Sequence, residues 1–506
     1  MFFIEIYLFV CYILSNQNPS IGVNAMDIIK NYVEEFNLND EETIKNDIDN
    51  AHVYEWMKDE VPVFECPDKE IERAYYFRFW TYRKHIKTTK DGVVITEFLP
   101  KVLWSGKHNT INAAAGHHIY EGRWLKNSDR YLKSYIEFFL SVSDKSHMYS
   151  NWLIDAVYKY SLITGDYDFG SDFIEKLDKY YAEWEEKHGL KNGSFWSFDN
   201  YDAMEYSVSG TDEKLKVLKG VRPTLNSYMC ADALAISRFA SIFGDKETAE
   251  KYLKKYEFLK NFINENLYED GFYRAYHYTK KEDPTKAVLK KGTSPRELIG
   301  YIPFMFDIPE KGRENCFDLL LSEDGFYSEY GLTTVERSNP RFMYPVKHEC
   351  LWNGYIWPFA TSQTLTALMN VAKNCEDKKY KEMFVSLLSQ YACMHKRTRE
   401  DGTTVSWIDE VMSPVDGDWS SRSLLKKWGW SILKGGYERG KDYNHSTFCD
   451  LVISGICGIS VKDGQINVEP IIPDNWDYFS LRGVKVLGKE YEIDYSKQKG
   501  LTVKEK

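Results

Sequence analysis

The sequence predicts a mainly α protein, an (α/α)6 toroid of helical hairpins carrying a small C-terminal β domain. Three observations predict it: an apolar period of 3.6 residues that recurs from Asn127 to Cys393, Gly-Asp punctuation at 165–166 and 244–245 between periodic runs, and a change to two-residue alternation after Gly458. Helices joined by short turns pair as hairpins, and about a dozen of them close into a ring whose inner helices are buried and whose outer helices are half exposed.

The elements follow in chain order. Residues 2–15, FFIEIYLFVCYILS, are apolar but too short to cross a bilayer, and Val23 and Ala25 suit a leader cleaved before Met26, so a secreted or other non-cytosolic location is expected. Helical runs are expected around 41–58, 70–86, 173–187, 250–266, 357–373 and 379–395. Leu132, Tyr135, Ile136 and Phe139 share one helix face, as do Ile154, Val157, Tyr158 and Ser161, and Ile236, Phe239, Ala240 and Phe243. In each Gly-Asp pair, Gly suits a left-handed C-terminal cap and Asp caps the next helix. Long irregular segments at 196–224, 276–294, 322–352 and 398–444 are rich in Trp, Tyr, Gly and acidic residues; in a helical ring they converge at one end and build a pocket. The tail reads as two β-hairpins turning at Asp463-Gly464 and Gly488. The expected units are a leader over 1–25, a helical domain over 26–458 and a β cap over 459–506.

With 506 residues, 43% of them hydrophobic and 28% charged, the chain has an ordinary globular composition. Its net charge of −11 counts against a nucleic-acid partner, which calls for clustered Lys and Arg. The 14 Trp, 37 Tyr and 28 Phe are numerous enough to fill a large core and still supply rings to stack on a sugar. Nine Cys without a CxxC pair exclude a zinc ribbon and a dense disulfide scaffold.

Two stretches carry chemistry. FDNYDAMEYSVSG (198–210) and WIDEVMSPVDGDW (407–419) each set acidic residues among aromatic rings and Gly or Pro breakers, a setting that aims a carboxyl group into a cleft. Two carboxyls so placed are what hydrolysis of a glycosidic bond needs, one to protonate the leaving oxygen and one to activate water. A buried acid beside Met204 and Tyr206 has its pKa raised by desolvation, as a general acid requires. Asp202, three residues earlier, is the rival for that role.

These segments, in this order along a helical chain, resemble the six-hairpin (α/α)6 glycoside hydrolases, the clan of trehalases, processing α-glucosidases and mannosylglycerate hydrolases, over roughly residues 67–458. The resemblance implies that AMEYS supplies the general acid as Glu205, where the group usually has Asp, and that EVMSPVDG supplies the base as Glu410, with Pro414 and Gly417 shaping its loop. Trp407 and Trp419 flank that loop as candidate ring-stacking walls. WNGYIWPFATSQ matches the group's segment leading into an inner helix, with Asn353 in place of Arg, and makes Trp352 and Trp357 candidate sugar contacts; Trp104 is another. In YERGKDYNHSTFCDL, His445 is a candidate for sugar hydroxyls and Glu438 an alternative base. The resemblance implies an inverting enzyme with a carbohydrate substrate and no metal or organic cofactor.

Outside those motifs, His117 and Glu121 lie four apart on one helix face and suit a hydrogen-bonded pair better than a metal site. Arg222 is a candidate clamp for substrate hydroxyls or a carboxylate; Arg83, Lys84 and His85 fit that role or a salt-bridged helix end. A GxSxG elbow, HExxH, a Walker loop and a GxGxxG after a strand are all missing, which removes acyl transfer, zinc proteolysis and nucleotide chemistry. A toroid lyase or sugar epimerase, or a carbohydrate-binding relative without catalysis, remains as an alternative.

Overall fold

The computed structural model describes residues 25–278, 289–290 and 294–506. The leader expected over 1–25, all but Ala25, and much of the irregular segment 276–294 lie outside the described residues. Helices α1 (Ala25–Leu38) and α2 (Val53–Glu60) pack on α3 (Lys69–His85), which opens the ring. Among the described residues six outer-to-inner pairs follow. They are α3 with α4 (Ala115–Gly122), α5 (Asp129–Glu137) with α6 (Leu153–Thr164), α7 (Phe173–His188) with α8 (Pro223–Ile242), and α9 (Lys246–Asn266) with α10 (Ile302–Met305). A 3-10 helix over Glu314–Leu321 then leads to α11 (Pro358–Asn374), and α12 (Lys379–Met394) leads, past the short α13 (Ser420–Trp428), to α14 (Phe448–Asp450), which runs on as a π-turn over Leu451–Ile456.

The inner helices close a circle. Going round, α4 packs on α6, α6 on α8, α8 on α10, α10 on α11, α11 on the π-turn after α14, and α14 on α4 again. Burial follows this layering: every residue of α4 is buried, whereas α9 buries only the stripe Tyr252, Leu259, Phe262, Ile263 and Asn264. Local chemistry sets the ends. Asp68 caps α3 by accepting from the Glu70 and Ile71 amides, Asp245 caps α9 through Thr248, Pro223 and Pro358 occupy first turns, and Gly165 ends α6 at φ 73°.

Two expectations change. The helix expected over 41–58 is confined to Val53–Glu60, because Glu42 takes positive φ and accepts from the Asn46 side chain and the Asn50 amide, while Asp49 accepts from the amides of Ala51 and His52. Short polar side chains that bond nearby backbone compete with helix in this way. Phe243, expected on the buried face of α8, follows its last residue and is 47% exposed.

The tail forms both expected hairpins, β2 (Ile459–Lys462) with β3 (Gln465–Val468) and β4 (Tyr478–Val486) with β5 (Lys489–Ser496), after the earlier strand β1 (Val63–Glu65). A further strand, β6 (Gly500–Glu505), extends the second hairpin, and β1 pairs with β4 on its other edge, giving the antiparallel order β1-β4-β5-β6. The sheet therefore ties the chain's early part to its end, and it docks on the ring where the Leu487 amide donates to the Ile163 carbonyl at 2.7 Å.

Closure of the ring depends on close approach at Gly116, where a Cβ would lie 2.2 Å from Cε2 of Trp152, the residue preceding α6. Overpacking of this kind costs about 1–3 kcal/mol. Gly116→Ala is expected to lower the urea midpoint of unfolding, followed by circular dichroism.

Candidate active site

Every connection from an outer to an inner helix ends at the inner helix N-terminus, so these connections gather at one face of the ring, where a rigid scaffold can hold functional loops. Glu97 and Trp104 precede α4, Tyr149 precedes α6, Glu205 precedes α8, Glu349, Cys350, Trp352 and Trp357 precede α11, and Glu410, Arg439, Tyr443 and His445 precede α14.

The loop around Glu205 is tightly constrained. Ala203 and Tyr206, on either side of it, both take left-handed backbone at φ 55° and 63°, a conformation that costs a non-glycine residue about 1–2 kcal/mol and persists only where the surroundings enforce it. Those surroundings are two buried carboxylates. Asp199 accepts the amides of Asn200 and Tyr206 at 2.9 and 3.0 Å. Asp202 accepts from the hydroxyls of Ser150, Ser197 and Thr224 at 2.7, 3.1 and 2.6 Å and from Arg222 Nε at 2.6 Å. Arg222 also donates to the hydroxyls of Ser207 and Ser209. Asp202 and Arg222, expected as rival acid and substrate clamp, thus hold each other beneath the loop. Burial pushes the Glu205 carboxyl up to about 8, and the negative charges of Asp199 and Glu410 push in the same direction.

Glu410 has the opposite kind of neighbour. Arg439 Nη2 donates to both of its oxygens, at 3.1 and 3.0 Å, and weaker contacts at 3.4 Å come from the Cys350 thiol and the Ser421 hydroxyl. Arg439 Nη1 donates to Glu349 at 2.8 Å, and Lys434 reaches the same carboxylate at 2.5 Å. Burial raises the Glu410 carboxyl above its ordinary range while the Arg439 charge and hydrogen bonds oppose that rise.

The two glutamates meet across one short segment. The Cys350 thiol touches Glu410, and the Trp352 amide donates to the Glu205 carbonyl at 3.1 Å. Residues two apart in a chain have Cα atoms at most about 7 Å from one another.

The aromatic residues divide. Half-buried Trp104 lies under the Arg439 guanidinium at 4.7 Å, and Trp352 stacks on Trp357 at 4.4 Å with the Trp352 indole nitrogen buried and, among the described residues, without a partner. Trp419 is 1% exposed and donates its indole N–H to the Lys396 carbonyl, so it fills core instead of walling a cleft. Trp407 has the guanidinium groups of Arg397 and Arg422 each 5.0 Å from its ring and borders a small void with Asp40, Trp80 and Lys441, away from the segment that joins the glutamates. Both Trp residues fix the Glu410 loop from behind. Glu438, the alternative base, pairs with Lys441 at 3.5 Å, and it is the next residue, Arg439, that reaches Glu410.

His445 stands 3.2 Å from Glu97, whose other oxygen accepts from the Tyr443 hydroxyl at 3.1 Å. The expected His117–Glu121 pair does not form: Glu121 accepts the amides of Cys449 and Asp450 at the start of α14, both at 3.0 Å, while His117 packs against Phe359 and Trp152. Lys84 bridges Asp40 and Asp442 at 2.7 Å each and His85 bonds the Asp442 carbonyl, making that cluster a salt-bridged helix end. Sequence reasoning missed Arg439, Cys350, Glu349 and Glu97. Arg439 lies inside the segment already singled out at 437–451, but Glu97 belongs to no motif. Altogether the site sets one carboxyl with its proton retained near neutrality against another held beside a fixed cation, the division of environments that separates an acid from a base.

Comparison with known proteins gives the family and the fold. The family model of the mannosylglycerate hydrolase MGH1-like glycoside hydrolase domain matches residues 107–446, more than half of the chain. A solved structure named sialidase is 35% identical with a TM-score of 0.83 and covers 96% of this chain, which spans 43% of that one. An uncharacterized protein of Borreliella burgdorferi is 28% identical over 182 residues, 35% of each chain. The GH78 rhamnosidase of Bacillus sp. GL1 (12% identity, TM-score 0.56, 88% of this chain and 41% of that one) and the GH63 mannosylglycerate hydrolase of Thermus thermophilus in complex with Tris (9%, 0.51, 75% and 100%) share the fold. The lyase, epimerase and non-catalytic readings find no support among these. By its matched segment the chain belongs to the family of mannosylglycerate hydrolase MGH1-like glycoside hydrolase domains, with an (α/α)6 toroid as its scaffold.

Proposed function

We propose that the chain cleaves the glycosidic bond of an uncharged sugar with inversion at the anomeric carbon, Glu205 donating the proton and Glu410 activating the water. The observation that carries this reading is the contrast between the environments of two carboxyls whose residues are tied to one segment, Glu410 through the Cys350 thiol at its side chain and Glu205 through the Trp352 amide at its main-chain carbonyl. Glu205 retains its proton near neutrality and so can give it to the leaving oxygen. Glu410, anchored by Arg439, accepts a proton from water as that water attacks the opposite face of the sugar ring. Product departs with the proton balance reversed, and exchange with solvent restores both groups.

The charges around the two glutamates support a neutral glycosyl group. Both terminal nitrogens of Arg439 are bonded, to Glu349, Glu410 and Cys350, and those of Arg78 to Thr81, Tyr443 and Asn444. A sugar carboxylate such as that of sialic acid calls for an available guanidinium fork, and the name of the sialidase belongs to a chain of which this one spans 43%. A panel of nitrophenyl glycosides of neutral sugars, including mannosides and arabinofuranosides, run beside a sialoside, tests the reading. Turnover of the sialoside alone would defeat it, as would retention of configuration seen by proton NMR of the first product. Residues 2–15 motivate export from the cytosol, which fractionation of cells expressing the whole chain would check.

Two outcomes are expected with the best neutral substrate. Glu205→Gln and Glu410→Gln each lower kcat by at least about 10² to 10⁴, the range for loss of an acid or base, while Glu438→Gln stays near wild type. The acid must be protonated, so kcat/KM falls as pH rises through about 8, the value to which Glu205 is pushed. Glu410→Gln removes a negative charge beside Glu205, and any residual activity should lose its alkaline limb at lower pH than wild type.

A further inference from the structure

A third carboxyl faces the same part of the molecule and has no role in the proton transfers above. Glu97 is 4% exposed, and rings connect it to both glutamates. On one side the next residue, Phe98, lies 5.7 Å from the Arg439 guanidinium that holds Glu410. On the other, Tyr443, which donates to Glu97, lies 6.5 Å from Trp357; Trp357 stacks on Trp352, whose amide holds the Glu205 carbonyl. Glu97 is therefore bracketed between the acid and the base. Its Oε2, both nitrogens of His445 and Nε1 of Trp352 are buried without hydrogen-bond partners among the described residues, and the 3.2 Å approach of His445 Nε2 to Glu97 lacks the alignment of a hydrogen bond. Buried polar atoms normally find partners, so a group of them beside a catalytic pair marks where polar atoms of a ligand belong.

Building on the hydrolase reading, we propose that Glu97, His445 and Trp352 form a wall that recognises hydroxyl groups of the sugar ring held between Glu205 and Glu410, with Glu97 as the principal specificity residue. Tyr443 fixes one Glu97 oxygen and leaves the other for the ring. Burial raises the Glu97 carboxyl to about 8 and holds His445 well below its ordinary value, so near neutrality both are uncharged and together offer a hydroxyl one donor and one acceptor. Glu97 also precedes the segment matched by the family model, so this contact comes from a part of the chain that the family match does not include.

The test uses the full chain, the fastest nitrophenyl glycoside of the panel and its monodeoxy analogues. Glu97→Ala should raise KM by about tenfold or more, the loss typical of a buried hydrogen bond, and Glu97→Gln, whose amide imitates an uncharged carboxyl, should recover part of that loss. Glu97→Ala should also abolish the discrimination between the parent glycoside and one of its monodeoxy analogues, a readout that a merely loosened fold does not move selectively. Should Glu97→Ala fail to fold, as judged by its melting temperature, His445→Ala replaces it with the same expectation. Three results overturn the proposal: Glu97→Gln as inactive as Glu205→Gln, which would make Glu97 a proton-transfer group; an unchanged KM in the alanine variant; or unchanged discrimination among the deoxy analogues. Failure of every panel glycoside to turn over would instead reject the hydrolase reading, and this proposal with it.

Discussion

The Arg439 guanidinium is the contact on which the site depends. From the connection before α14 it bonds Glu410, from the connection before α11 it bonds Glu349 and Cys350, and it lies on the rings of Phe98 and Trp104 from the connection before α4. Three connections that are far apart in sequence are thus organised around one buried cation. Taking that charge out of water is unfavourable by several kcal/mol, and only partners with good geometry offset it. Glu349 and Glu410 are those partners, so the base carboxylate and the cation that fixes it hold each other in place. Removing Arg439 would leave the Glu410 carboxylate in the interior without its cation.

The acid is built on another plan. Among the described residues no cation bonds the Glu205 carboxyl; its loop is enforced by Asp199 and by the Asp202–Arg222 pair below it, and its own side chain is left in an environment that disfavours charge. The toroid makes this asymmetry possible because each inner helix receives its own long connection. Inner helices that pack directly on one another, as α4 and α6 do through Gly116 and Trp152 at their N-terminal ends, let those connections be irregular and strained without loosening the whole. The positive φ values at Ala203 and Tyr206 are one place where that rigidity is used.

Much of this was legible in the chain. Periodicity placed the helices because burial of an apolar stripe is a local pattern, and it failed at 41–52, where Asp, Asn and Glu side chains satisfy the backbone themselves. Tail hairpins were readable from Asp463-Gly464 and Gly488, since a two-residue turn of left-handed backbone is a local requirement; the strand at 63–65 that completes the sheet was not, because its partner lies more than four hundred positions away. In the site, AMEYS and EVMSPVDG stood out because carboxyls among rings and breakers are unusual in a helical chain.

The sequence by itself therefore determined the helical ring and the order of its connections, which follow from periodicity over short windows, and the two acidic stretches, in which the resemblance to six-hairpin glycoside hydrolases singled out Glu205 and Glu410. Only the tertiary structure decided which neighbours those glutamates have. It turned Trp419 into core and Asp202 with Arg222 into a foundation, passed over Glu438 for Arg439, and brought Glu97 to Tyr443 and His445. The physical reason is that charge and desolvation act through space, and the partners that set them here come from opposite sides of the ring.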